Sequence, residues 1–168
     1  MSTSQTKIDG GAPSALIAPS GSELENARNV LARIVELMGM SANVEGRVVD
    51  EQIWLTVSGE DVGQLIGKKG QTLDALQSLV GRIASREVGR GLALTVDAES
   101  YRERRAASLR QMAERLKDQV LESGHTVALN PMSARDRRVI HLTLRDEAGV
   151  STRSEGQGDE RRILIVPE

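Results

Sequence analysis

The chain has 168 residues, a formal net charge of −2 and a pI near 5.8; it is the size of one ordinary domain or two small ones and lacks a general basic coat. It has no cysteine, which excludes disulfides, thiolate zinc sites and cysteine nucleophiles. Trp54 and Tyr101 are its only aromatic residues, too few to build the base-stacking surface of an RRM, an OB-fold or a cold-shock domain.

Charge is unevenly spread. Residues 1–60 carry 4 Lys/Arg against 8 Asp/Glu, and residues 61–168 carry 18 against 16. An anion-binding surface is therefore a local patch in the later part, with an affinity that salt weakens readily. No apolar run approaches the roughly 18 residues of a spanning helix. Residues 1–22 lack a basic n-region, and Ala15–Ala18 is too short for a secretory h-region. The expectation is a cytoplasmic protein without membrane insertion.

Residues 1–22, rich in Ser, Gly, Ala and Pro, read as a flexible tail. From Leu24, the residues Ala27, Val30, Leu31, Ile34, Val35 and Met38 recur at helical spacing, and Gly39 ends the run. Strand patterns follow at Asn43–Val49 and Gln52–Val57; in the second, Ile53, Leu55 and Val57 share one face and Trp54 and Thr56 the other. Asp61 caps a short helix that reaches Ile66. After a glycine loop, Leu73, Leu76, Val80 and Ile83 mark an amphipathic helix to about Val88, and Leu92, Leu94 and Val96 mark a third strand.

The loop is Gly67-Lys68-Lys69-Gly70. Two glycines permit a tight turn and let a polyanion approach without a Cβ in the way. Two lysines add charge at the same spot, and the next helix aims its N-terminal N–H groups there. A Walker A loop needs four residues between its glycines and then Gly-Lys-Ser/Thr, whereas Gly63 and Gly67 have three between them. A dinucleotide fingerprint needs glycine where Leu65 stands. The remaining rival is a plain helix–turn–helix linker with solvated lysines. Arg82, Arg86 and Arg90, spaced by four, either line the groove beside the loop or form a solvated helix face.

Tyr101 to about Ser123 reads as one long helix with Leu109, Met112, Ala113, Leu116 and Val120 as its buried stripe, and Gly124 ends it. Thr126–Leu129 is a short strand. Pro131 opens a further helix, to about Arg145, with Ile140, Thr143 and Leu144 inward. Strands follow at Val150–Glu155 and Arg161–Val166. Arg137 and His141 lie four apart on one helix face, Arg145 continues that row, and Arg138 flanks it. Arg supplies a permanently charged, bidentate phosphate contact; a His one turn along donates a hydrogen bond, and its charge responds to a nearby phosphate. The bland alternative is a solvated helix face. His125 and His141 are the only histidines and have no metal-ligand spacing, so no cofactor or metal is expected; Asp136 and Asp146 read as solvated.

The glycine loop, within the order helix, two strands, helix, loop, helix, strand, resembles a type II KH domain over residues 23–99. The Arg-x-x-x-His spacing, with the Ser151–Gly156 run and the Arg161–Val166 strand after it, resembles the domain named for that spacing over residues 100–168. Together they resemble the bacterial Jag family (SpoIIIJ-associated, KhpB/EloR). Members often carry an additional N-terminal domain, and the short stretch before Leu24 leads to the expectation of a member lacking it. The implied fold class is α+β: a KH domain with a three-stranded sheet covered by helices on one face, then a small α/β domain with its own three-stranded sheet.

The resemblance implies a non-catalytic, cytoplasmic protein that binds single-stranded RNA, or alternatively single-stranded DNA. It implies an RNA chaperone or post-transcriptional regulator linked to cell elongation and envelope (peptidoglycan) homeostasis, in complex with a small separate KH protein. The contact residues would be Gly67, Lys68, Lys69, Gly70, Arg82 and Arg86, then Arg137, Arg138, His141 and Arg145. Two other readings compete. One is an RNA-processing phosphodiesterase using His141 as general acid–base, which would shorten labelled RNA. The other is a protein-interaction scaffold that uses Trp54 on the open sheet face.

Overall fold

The computed structural model describes residues 18–60 and 62–168. The tail expected over residues 1–17 and the cap expected of Asp61 lie outside the described residues.

Helix α1 (Gly21–Leu37) starts earlier than its apolar pattern, so Gly21 and Ser22 belong to the helix rather than to a tail. The cause is a capping box: the Glu23 N–H donates to the Ser20 hydroxyl, and the Ser20 N–H donates to the Glu23 carboxylate at 2.7 Å. Arg90 donates to the same carboxylate through Nε at 2.8 Å and Nη2 at 2.7 Å. That guanidinium, with the Ser20 N–H behind it, holds the Glu23 carboxyl down at about 2. Arg90 is thus a clamp on α1.

Strands β1 (Asn43–Val49) and β2 (Gln52–Ser58) pair antiparallel, and β3 (Leu94–Ala98) joins β2 in parallel, in the order β1-β2-β3. The expected alternation in β2 is present: Ile53, Leu55 and Val57 are fully buried and Trp54 is half-buried. They form one core with Leu31 and Val35 of α1, Leu65 of α2 (Gly63–Ile66), and Leu73, Leu76 and Val80 of α3 (Gln71–Val88). Each such side chain contributes roughly 1.5–3 kcal/mol when fully buried.

The second core is separate. Helix α4 (Tyr101–Ser123) ends where Gly124 turns at φ 66°, and its Leu109, Ala113 and Val120 pack on Ile140 and Leu144 of α5 (Ala134–Leu144). Beneath them lies a three-stranded antiparallel sheet, β4-β6-β5, built from β4 (Val127–Ala128), β6 (Arg162–Pro167) and β5 (Val150–Glu155). Both sheets expected from the sequence are present.

Two expectations fail here. Helix α5 opens after Ser133, not at Pro131. The Ser133 hydroxyl accepts from the Asp136 N–H at 3.2 Å, while the Met132 N–H donates to the Arg161 carbonyl and holds that stretch against the start of β6. Asp136, expected in solvent, is 4% exposed and accepts from Arg105 Nε at 3.0 Å and Nη2 at 2.8 Å. A buried carboxylate of this kind needs such a partner.

The two halves are joined along α4. Arg102, with a side chain 9% exposed, donates to the Val96 carbonyl at 2.7 Å, to Asp74 at 2.8 Å and to Gln77 at 2.9 Å. Its own N–H donates to Asp97 at 3.1 Å. From the other side, Arg135 reaches Gln77 at 3.3 Å. Asp74 and Gln77 sit in the first turns of α3, so these bonds tie the base of the glycine loop to the second half.

Candidate nucleic-acid interface

The glycine loop runs from the end of α2 through a 3-10 turn, Lys68–Gly70, into α3. Gly67 has φ 68° and Gly70 φ 85°, the left-handed region that side chains rarely adopt. A Cβ on Gly67 would lie 2.1 Å from the Thr72 hydroxyl oxygen, and one on Gly70 would lie 2.8 Å from Tyr101 Cε1. Gly70 is buried. Its missing side chain thus makes room for Tyr101. Gly67, Lys68 and Lys69 are exposed. Lys69 itself takes φ 54°, a strained setting for a side-chain-bearing residue. Among the described residues neither lysine side chain has a hydrogen-bond or ion-pair partner. Next to them, α3 starts without a side-chain cap, and the Gln71 N–H at its start donates to the Lys68 carbonyl, which closes the turn.

On α5 the geometry is tighter. Arg137 Nη1 donates to the Met132 carbonyl at 2.8 Å and to the Arg161 carbonyl at 3.5 Å. One end of the guanidinium thus braces the chain before α5 against the start of β6. His141 Nδ1 lies 2.6 Å from the Thr152 hydroxyl on β5, which orients the ring and leaves Nε2 as its second polar atom. Arg138 is exposed beside them. Arg135, Arg137, Arg138, His141 and Ser154 line one shallow depression. The expected trio of Arg137, Arg138 and His141 is therefore brought together.

The other expected residues are not in these two places. Arg82 and Arg86 line a groove along α3 with Ala75, Ser78, Leu79 and Ile83, and no residue of the glycine loop borders it. Arg145 is exposed and paired with Asp146 at 3.1 Å; that bond holds the Arg145 guanidinium above, and the Asp146 carboxyl below, their usual ranges.

A cleft of about 540 Å³ connects the two motifs, with Lys69, Gln71 and Asp74 on one wall and Ser133, Arg137 and Asp159 among the residues of the other. Sequence reasoning missed several residues that flank or support these two motifs. Arg135 could have been found, since residues 135, 138 and 141 recur at three-residue steps and share a helix face. Thr152 carried only its place in the Ser-Thr-Arg-Ser run. Tyr101 and Arg102 carried no local signal at all. Among the described residues no group of three or more His, Cys, Asp or Glu is arranged to hold a metal ion, and no helix is long and apolar enough to cross a membrane.

Comparison with known proteins covers the same two regions. The family described as KhpA/KhpB, KH domain matches residues 25–96, and the domain family named for the Arg-x-x-x-His spacing matches residues 107–167. The chain is 34% identical over 143 residues to the RNA-binding protein KhpB of Clostridium symbiosum, covering 84% of this chain and 64% of that protein. It is 35% identical over 144 residues to the RNA-binding protein KhpB of Bacillus subtilis (strain 168), covering 84% and 69%. Against the same-named protein of Lactiplantibacillus plantarum it is 32% identical over 136 residues, covering 81% and 42%. The chain thus spans about two thirds of the length of the first two relatives and less than half of the third.

Proposed function

This chain belongs to the KhpB family, and from that membership and the geometry above we propose that it binds single-stranded RNA without catalysis. The observation that carries the proposal is the convergence of two cationic elements on one surface: exposed Lys68 and Lys69 on a rigid loop, and Arg137, Arg138 and His141 on α5. The backbone of a single strand supplies the matching charge, and backbone-directed contacts position a strand with little selection among bases. Single-stranded DNA, with the same phosphates, is the secondary ligand. A role as RNA chaperone or post-transcriptional regulator in the cytoplasm, linked to cell elongation and envelope homeostasis, is the physiological form of the proposal and follows from the family resemblance. A complex with a small separate KH protein belongs to it as well. The apolar row Ala75, Leu79 and Ile83, with Leu79 46% exposed, offers that partner a surface.

The test is filter binding of single-stranded homopolymers against a hairpin, for the wild type and for Lys68→Asp/Lys69→Asp. Single strands should bind best, and the double variant should lose at least about tenfold in affinity while its circular dichroism stays unchanged. Tight selection of the hairpin, or an unchanged affinity of the variant, would overturn the proposal. Labelled RNA should stay intact throughout; shortening that His141→Ala abolishes would establish the phosphodiesterase reading instead.

A further inference from the structure

We infer that the cleft between the two domains is itself a strand-binding site, through which one RNA strand runs continuously from the glycine loop to the α5 face. This rests on the RNA-binding proposal above and adds a path, a stoichiometry and a residue that opposes binding. Lys69 and Arg137 border the same cleft from opposite domains. A strand held at either cation therefore presents its next phosphates to the other. Two independent strands would have to crowd their charges into the same cleft.

The walls are set in advance. Arg102 ties the first turns of α3 to α4, Arg105 ties α4 to Asp136 of α5, and Arg135 returns to Gln77. A strand that reaches both domains therefore meets a preformed site, and its second contact is intramolecular rather than a fresh association. Charge along the path fits as well. Asp74 borders the cleft, but Arg102 Nη1 sits 2.8 Å from its carboxylate and offsets its repulsion of a phosphate. Asp159, on the turn before β6, borders the same cleft and is exposed. Among the described residues no ion pair joins it. It acts as a brake on phosphate within the passage.

The experiment titrates the full chain with a labelled oligouridylate of about 12 nucleotides, well beyond the roughly four that a G-x-x-G loop clamps. Stoichiometry, affinity and salt dependence are read for the wild type, Asp159→Lys, Lys69→Ala and Arg137→Ala. Glu122→Lys is the control; it reverses an exposed charge in the last turn of α4. One strand should bind per chain, and Lys69→Ala and Arg137→Ala should each weaken it. Asp159→Lys should tighten it about three- to tenfold and steepen the salt slope by about 0.7, as for one added phosphate contact on a single strand. Glu122→Lys should change affinity less than about twofold. Two strands per chain, a loss from only one of the two alanine variants, or an Asp159→Lys gain no larger than that of Glu122→Lys would overturn the passage while leaving RNA binding in place. Absence of binding by the wild type would remove the RNA-binding proposal, and the passage with it.

Discussion

Lys68 and Lys69 are exposed on a loop whose backbone is packed by Thr72 and Tyr101, whereas on α5 Arg137 and His141 have their own side chains anchored, to the Met132 carbonyl and the Thr152 hydroxyl. The first arrangement offers charge that can follow a strand wherever its phosphates fall. The second offers donors at set positions, with less conformational freedom to lose on binding. Stability and binding should therefore separate cleanly for the loop lysines and stay entangled for the anchored side chains of α5. Each element should also fail in its own way when altered.

The largest expected effect breaks the loop's scaffold. Gly70→Ala places a methyl group 2.8 Å from Tyr101 in a left-handed backbone. A backbone cost of roughly 1–2 kcal/mol and an overpacking cost of roughly 1–3 kcal/mol give an expected loss of about 2–5 kcal/mol, measurable as a lower urea midpoint. A loss no larger than the backbone cost of about 1–2 kcal/mol would mean that Tyr101 swings aside freely, and that the loop is not braced by α4.

Arg137→Ala sharpens the contrast with the loop lysines. It should cost about 2 kcal/mol of RNA affinity, as for a charged hydrogen bond, and also about 1 kcal/mol of stability through the lost bond to the Met132 carbonyl. Paired titration and denaturation curves separate the two effects. If stability is untouched, Arg137 does not brace the chain before α5 and resembles the loop lysines after all. The smallest effect is expected from Thr152→Val, which releases the His141 ring without removing it. Affinity should fall by about 0.5–1 kcal/mol. Wild-type affinity in that variant would show that the orientation of His141 is immaterial.

Some of this contrast can be read directly along the chain. Helices α3 and α4 stop where expected because Gly89 and Gly124 each take the left-handed turn that ends a helix. The grouping of Arg137, Arg138 and His141 follows from helical spacing alone. The start of α5 does not follow in the same way. Pro131 is a strong local sign of a helix start, yet the Met132 bond to Arg161 keeps that stretch extended until Ser133 can cap. That bond spans 29 positions, so no window of sequence contains it.

The same divide holds for the whole protein. Local sequence determined what depends on near neighbours: the two α+β units, the alternation in β2, the glycine loop and the cationic row on α5. These follow from periodicity, glycine conformational freedom and capping chemistry, all of which act over a few residues. Tertiary structure alone decided why Gly70 must be glycine, which acids are neutralised, and that Lys69 and Arg137 border one cleft. Those outcomes depend on contacts such as Gly70 with Tyr101, Asp74 with Arg102 and Arg105 with Asp136, each between residues about 28 to 31 positions apart. Burial makes such pairs necessary, because a desolvated charge needs a partner and a packed ring leaves no room for a Cβ, and only the folded chain brings the partners together.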